Sequence, residues 1–406
     1  MNESPSIWIT GVGAVSALGL GFDEISKGLL AGKSGIRPVA DFDVAQHPCR
    51  IAGQVTLPPA PPELNPTAYE KLWPLERCIV FCCLQALLDS GLWANRGQLR
   101  IGLVLGVAAE WMSHWDWDAR HGGRMIGGPT TGYQPAITTV QEMLGLNGPA
   151  MSVAAACASG NQAIGLAREW LAMDWVDVCL AGACDMGVTP YSMASFGNLR
   201  ALSRRNDEPT AAVRPFDADR DGMVLGEGGA VFALERSNAV RGDDRHGYAE
   251  VGGAGMTSDS YHLVSPDPNS TYAAAAVRHA LHDAQVDVAD IDYINAHATG
   301  TPVGDACEAR MLHAVLGPHV ARPAVSSTKS MTGHLLGAAA AIEALACLTA
   351  IKFRAIPPTI NLDRPDTACR LNHVANVARE QAVRVAVSNS FGFGGHNTSL
   401  VLKAVA

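Results

Sequence analysis

The 406-residue chain is 48% hydrophobic and 17% charged, with 41 glycines, a composition that suits one large or two moderate globular units with a sizeable core. Its formal charge of -9 gives no overall attraction for nucleic acid or an anionic membrane, so neither is expected as a partner. The ten cysteines form no CxxC pair, and a chain this long needs no disulfide framework, so mostly buried free thiols and a cytoplasmic location are expected.

The opening, MNESPSIWITGVG, carries an early acid and no basic region ahead of its apolar run, so it does not read as a signal peptide. Residues 6–15 read as a strand. Two nucleotide motifs nearby fail: GVGAVS (11–16) has Ser16 at the third glycine position of the dinucleotide fingerprint. GLLAGKS (28–34) has three residues between its glycines where a P-loop needs four, and it follows a helix-like run. A helix is predicted over 76–91, a strand over 100–107, a helix over 158–174, and strands over 176–183 and 229–235. That alternation argues α/β.

A polar break at 236–247 separates this series from a second one, and it divides the chain into halves 1–245 and 246–406. The second half opens with a strand at 248–256 and a helix at 271–286, followed by strands at 292–298, 323–328, 383–390 and 398–405. His279 and His282 on that helix read as solvated side chains rather than metal ligands, and no metal is expected. The run LLGAAAAIEALACLTAI (335–351) is about the minimum length of a membrane span, but it contains Glu343 and is rich in alanine, so it reads as a buried core helix.

A short echo links the halves. Cys157-x-x-Gly160-x-x-Ala163 opens one helix, and His334-x-x-Gly337-x-x-Ala340 opens another. Both helices are apolar nearly all round, which places them inside the molecule. In AAACASG (154–160), Cys157 stands at the first turn of its helix, where backbone N–H groups and the helix dipole are expected to lower the thiol pKa. His297 ends a strand and is followed by a loop of small and hydroxyl residues, and His334 ends STKSMTGH, five residues after Lys329. The glycines of NSFGFGGHN (389–397) give close access to the backbone, so an N–H there could serve an oxyanion.

Four ordered stretches, AAACASG, NAHATGTPVGDACEA, SSTKSMTGHLLGAAAAIEA and NSFGFGGHN, together with PPTINLDRPD and the segment around RPFDADRDGMVLGEGG, resemble the β-ketoacyl-[acyl-carrier-protein] synthases, most of all the elongating synthase II type. The resemblance covers nearly the whole chain. It implies an α/β thiolase fold, five layers (α-β-α-β-α) with two pseudo-duplicated halves, usually as a homodimer. It implies an acyl group passed to Cys157 and a decarboxylative condensation with malonyl-[acyl-carrier-protein]. No cofactor is implied, because substrates arrive on the phosphopantetheine arm of the carrier protein. By the same resemblance Cys157 is the nucleophile, and Cys157 and Phe393 supply the oxyanion-hole N–H groups. His297 and His334 stabilise the enolate, Lys329 holds the arrangement, and Thr299, Thr301 and Phe196 contact substrate. Lys329 needs an anion, which Glu343 or Glu308 can supply; Glu343, alone among alanines and leucines, is favoured.

The chain departs from the family pattern in places. Ala298 replaces a glycine, Val264 stands where relatives often carry a hydroxyl, and His396 replaces a threonine. AAEWMSHWDWDARHGGRMIGG (108–128), with Trp111, Trp115 and Trp117, replaces a glycine-rich segment of the acyl pocket and dimer contact, so the tryptophans belong either to the pocket or to the dimer seam. Lys71 and Arg77 offer few charges for an acidic carrier, and Arg200, Arg204 and Arg205 could compensate. Two other functions stay open: a partner subunit that shapes a heterodimer's pocket, and a coenzyme A thiolase, which would carry a second cysteine near the C-terminal glycines.

Overall fold

The computed structural model describes residues 5–123, 135–240 and 245–405. The first half supplies strands β1 (Ile7–Ser16), β2 (Ile101–Gly106), β3 (Ala150–Val153), β4 (Val178–Met186) and β5 (Glu227–Arg236). The second supplies β6 (Ala249–Ser258), β7 (Tyr293–Asn295), β8 (Ala324–Ser326), β9 (Val385–Gly392) and β10 (His396–Lys403). Across the sheet they run β8-β7-β9-β10-β6-β1-β5-β4-β2-β3, and Gly19–Leu20 hooks onto β1.

Outward from the centre, each half uses its first, fifth, fourth, second and third strand. The neighbouring pairs are antiparallel, antiparallel, parallel and parallel in both halves. This repeat is far longer than the short sequence echo, and it makes the two halves pseudo-duplicates. They join where β1 meets β6, with Trp8 opposite Glu250 and Ile9 opposite Ala249. The division expected at 245/246 falls beside residues 241–244, which lie outside the described residues.

Helices α1 (Pro74–Asp89) and α2 (Ala136–Leu144) cover the outer face of the first half. Chain order then gives α3 (Ser159–Ala172), α4 (Thr271–Asp283), α5 (Pro302–Leu316) and α6 (Ala339–Phe353); α4 and α5 cover the outer face of the second half, while α3 and α6 lie between the halves. The two central helices, α3 and α6, each pack against strands of both halves and against one another, which gives the α-β-α-β-α layering. Small residues allow this: a Cβ on Gly160 would lie 2.6 Å from the backbone N of Ala341.

The last eighteen residues to Phe353, from Leu336, are long and apolar enough to cross a membrane by composition. Here they are the centre of the core, with Ile342, Leu345 and Leu348 buried, each such side chain contributing roughly 1.5–3 kcal/mol. His279 and His282 lie on the solvent side of α4. The strand expected over 292–298 stops at Asn295, which leaves His297 on the loop that follows.

Candidate active site

Cys157 sits ahead of α3, whose N-cap is Ala158. The chain turns sharply there: Ala156 has φ +49°, a left-handed conformation that costs an alanine about 1–3 kcal/mol and persists only where its surroundings enforce it. Gly392 provides part of that enforcement, since a Cβ on it would lie 2.5 Å from Ala155 O and 3.1 Å from Cys157 N. Cys157 is only partly buried, whereas the other nine cysteines are free and buried.

The expectation of a depressed thiol pKa is corrected here. Burial pushes the Cys157 thiol up to about 11, against the opposing pull of the Lys329 ammonium and of the Phe393 backbone N–H that bonds to it. The cysteine also precedes the first helical turn instead of lying in it. Desolvation of the anion outweighs these favourable groups.

The Cys157 sulfur and one ring nitrogen from each of His297 and His334 lie within 4.8 Å of one another. The two imidazoles stand edge to face, with centroids 5.5 Å apart, and Phe391 packs on His297. Burial and the nearby Lys329 charge push both imidazoles well below the usual histidine range, so both are neutral at pH 7. Their tautomers follow from their partners. The backbone N–H of Leu336 donates to Nδ1 of His334 at 3.0 Å. The Lys329 ammonium, which has only donors, lies 3.3 Å from Nδ1 of His297. With Nδ1 accepting in both rings, each proton sits on Nε2, and each ring has an Nε2–H to give. A Cys-His-His set is of the kind that holds zinc, but here a buried ammonium adjoins one histidine and would oppose a cation.

Lys329 is ion-paired with Glu343, both side chains fully buried. The second oxygen of Glu343 accepts from Ser390 Oγ at 3.4 Å. Glu308 instead binds backbone, with its two oxygens accepting the N–H groups of His297 and Ala298 at 2.9 and 2.7 Å. It fixes the loop that carries the histidine, and burial pushes its carboxyl up to about 8.

A cavity of about 760 Å³ opens onto these groups. Thr299, Thr301, Val264, Glu110, Trp111 and Phe196 are among the residues that line it. Thr299 and Thr301 share a 3.1 Å hydrogen bond, and Thr301 caps α5 through the Gly304 N–H. Phe196 packs on Phe393, centroids 6.1 Å apart. Ala298 also lines the cavity, whereas His396 does not.

The tryptophans divide. Trp111 reaches the cavity. Trp115 and Trp117 lie on the exposed face of the helix Met112–Arg120, where Trp117 stacks on His121 and meets Trp73 edge to face. Residues 124–128 of this segment lie outside the described residues. Arg200 reaches the cavity, while the Arg77 guanidinium donates to the Leu72 carbonyl at 3.0 Å.

Family models match on both sides of residues 241–244. The Beta-ketoacyl synthase N-terminal domain matches residues 4–239, and the C-terminal domain matches 248–363. The chain belongs to the beta-ketoacyl synthase family. A "3-oxoacyl-[acyl-carrier-protein] synthase 2" from Coxiella burnetii is 39% identical, with 99% of each chain covered. One of the same name from Synechocystis is 36% identical over 99% of this chain and 98% of its own. The solved "ishigamide ketosynthase/chain length factor" superposes with TM-score 0.89 at 31% identity, covering 99% of this chain and 100% of that one.

Within this synthase, sequence reading misses one group beside the site. Asp185 is fully buried at the end of β4, and burial pushes its carboxyl up to about 7. Its signal is the one that exposes Glu343: a lone acid in an apolar run, LAGACDMG.

Proposed function

We propose that this synthase takes an acyl group from a carrier thioester onto Cys157 and condenses it with malonyl-[acyl-carrier-protein], giving a 3-oxoacyl-[acyl-carrier-protein] longer by one two-carbon unit. The observation that carries this reading is the pair of neutral imidazoles, each with Nδ1 engaged and Nε2–H available, beside a reactive sulfur.

In the first stage the Cys157 thiolate attacks the acyl carbonyl and the carrier thiol leaves with a proton. The backbone N–H groups of Cys157 and Phe393 hold the transient oxyanion; such a donor is worth ~3 kcal/mol. In the second stage the malonyl carboxylate departs as carbon dioxide, and its electron pair forms an enolate. The Nε2–H groups of His297 and His334 donate to the enolate oxygen. Carbon 2 then attacks the acyl carbonyl and the Cys157 thiolate is expelled. Lys329 holds His297 in its tautomer, with Glu343 neutralising the ammonium. The reaction calls for no metal or bound cofactor.

The phosphopantetheine arm enters along Thr299 and Thr301, and the acyl chain lies toward Trp111 and Phe196. Carrier docking falls to Arg200 at the cavity, aided by Arg204 and Arg205. We place the enzyme in the cytoplasm, with the ten free thiols as support.

A second copy, or a homologous subunit, fits the outer edge at β3. Among the described residues this strand pairs only with β2, and Ala150, Met151 and Ser152 are exposed. The heterodimer reading draws support from the solved ketosynthase/chain length factor, although retention of Cys157 makes this chain the reactive member. A thiolase is disfavoured because residues 389–397 contain no cysteine. Purified wild type and Cys157→Ala, each given acyl and malonyl carriers, test the proposal. The wild type should release the 3-oxoacyl product and the variant none; a variant that condenses normally refutes it. Activity that appears only after a homologous subunit is added establishes the heterodimer.

A further inference from the structure

Asp185 accepts the backbone N–H of Ala109 at 2.9 Å and of Gly337 at 2.7 Å, with the N–H of Ala108 as a third donor. These amides belong to two separate stretches of chain. Ala108 and Ala109 lead directly into Glu110, Trp111 and Met112, which wall the cavity. Gly337 follows Leu336, whose N–H fixes Nδ1 of His334. The fit around the carboxylate is close on both sides: a Cβ on Gly337 would lie 2.8 Å from Asp185 Oδ2 and 2.9 Å from the Ala108 Cβ. One buried carboxylate is therefore the joint between the cavity wall and the turn that orients a catalytic histidine. Three amide N–H groups from two stretches of chain converge on this one buried carboxyl, so the joint is stiff.

We propose that Asp185 is a positioning residue that couples the two stages: an acyl group seated against residues 108–112 is sensed through Asp185 at the 336–337 turn, and so sets the readiness of His334 for decarboxylation. The inference rests on the reaction proposed above. It gives the enzyme a means of holding malonyl intact until Cys157 is loaded.

Two variants open the joint in different ways. Asp185→Asn turns one acceptor into an N–H donor facing backbone N–H donors. Gly337→Ala keeps the carboxylate and drives a methyl into it. In each protein, acyl loading of Cys157 is followed by mass spectrometry, and carbon dioxide release from malonyl carrier is timed with empty and with loaded enzyme. The wild type should release carbon dioxide at least about tenfold faster when loaded, a size within the reach of a small misplacement of a catalytic group. Both variants should load within about threefold of wild type yet bring that ratio close to one. Should Asp185→Asn not fold, Gly337→Ala carries the test. Loaded variants that keep the wild-type ratio overturn the coupling alone. A wild type whose Cys157 takes no acyl label overturns the reaction on which it rests.

Discussion

The raised pKa of Cys157 makes a quantitative prediction about its reactivity. With the thiol at about 11, the thiolate is about one molecule in 10,000 at pH 7 and about one in 100 at pH 9, and the thiolate alone is the nucleophile. Neither histidine can act as its base, because Nδ1 is engaged and Nε2 carries the proton in both rings. Alkylation by iodoacetamide should therefore climb about tenfold per pH unit, roughly 100-fold from pH 7 to pH 9, without levelling. An ordinary cysteine, at about 8.5, starts to level by pH 9. The other nine thiols are buried, so peptide mass spectrometry of the Cys157 peptide reads the site directly. Urea-denatured protein provides the ordinary curve. A plateau between pH 7 and 8 in the folded protein would refute the reasoning, since it would mean that Lys329 and the Phe393 N–H outweigh burial.

Three further outcomes follow from the same structure. Glu343→Gln leaves the Lys329 ammonium buried without its counter-ion and should lower folding stability by about 3–5 kcal/mol, read as a shift in urea midpoint; an unchanged midpoint would show that the pair carries no such weight. Gly392→Ala drives a Cβ against Ala155 O at 2.5 Å and should cut condensation about 100-fold, while a variant of full activity would mean the nucleophile turn tolerates displacement. Burial raises the carboxyls of Asp185 and Glu227 to about 7, Glu308 to about 8 and Asp305 to about 6. The folded state thus keeps protons that the unfolded chain has released above about pH 4, so the stability from these groups is lost as pH rises from about 4 through 6 to 8. The buried neutral histidines, His297 and His334 among them, oppose this only below about pH 6.5, where the unfolded chain protonates them, so the melting temperature should be higher at pH 6.5 than at pH 8, and the reverse order would contradict the assignment.

How much of this is legible in the sequence varies residue by residue. The strand and helix series is readable because buried strands run as unbroken apolar stretches and the two central helices are apolar on every side. The duplication is readable only as a seven-residue echo, since it lies in strand order and pairing, which small, interchangeable apolar residues satisfy without repeating. Cys157, His297, Lys329 and His334 stand out by local company, and Glu343 by being an acid among alanines. The thiol pKa is misjudged from sequence because a motif displays its helix and its basic neighbours but not how deeply they are buried. Asp185 shows in the sequence only as a lone acid in an apolar run, and its role escapes notice because its partners are backbone amides 76 and 152 residues away, and amides have no sequence signature. Trp111 and Trp117, six residues apart in one segment, have different surroundings, cavity and surface, which composition alone does not separate.

The central claim is that Cys157 carries the growing chain. Purified enzyme incubated with acyl carrier, then digested and weighed, should show the mass of that acyl group on the peptide containing Cys157. Addition of malonyl carrier should discharge it into a 3-oxoacyl carrier two carbons longer. Condensation that proceeds at the wild-type rate while Cys157 remains unlabelled would contradict the account.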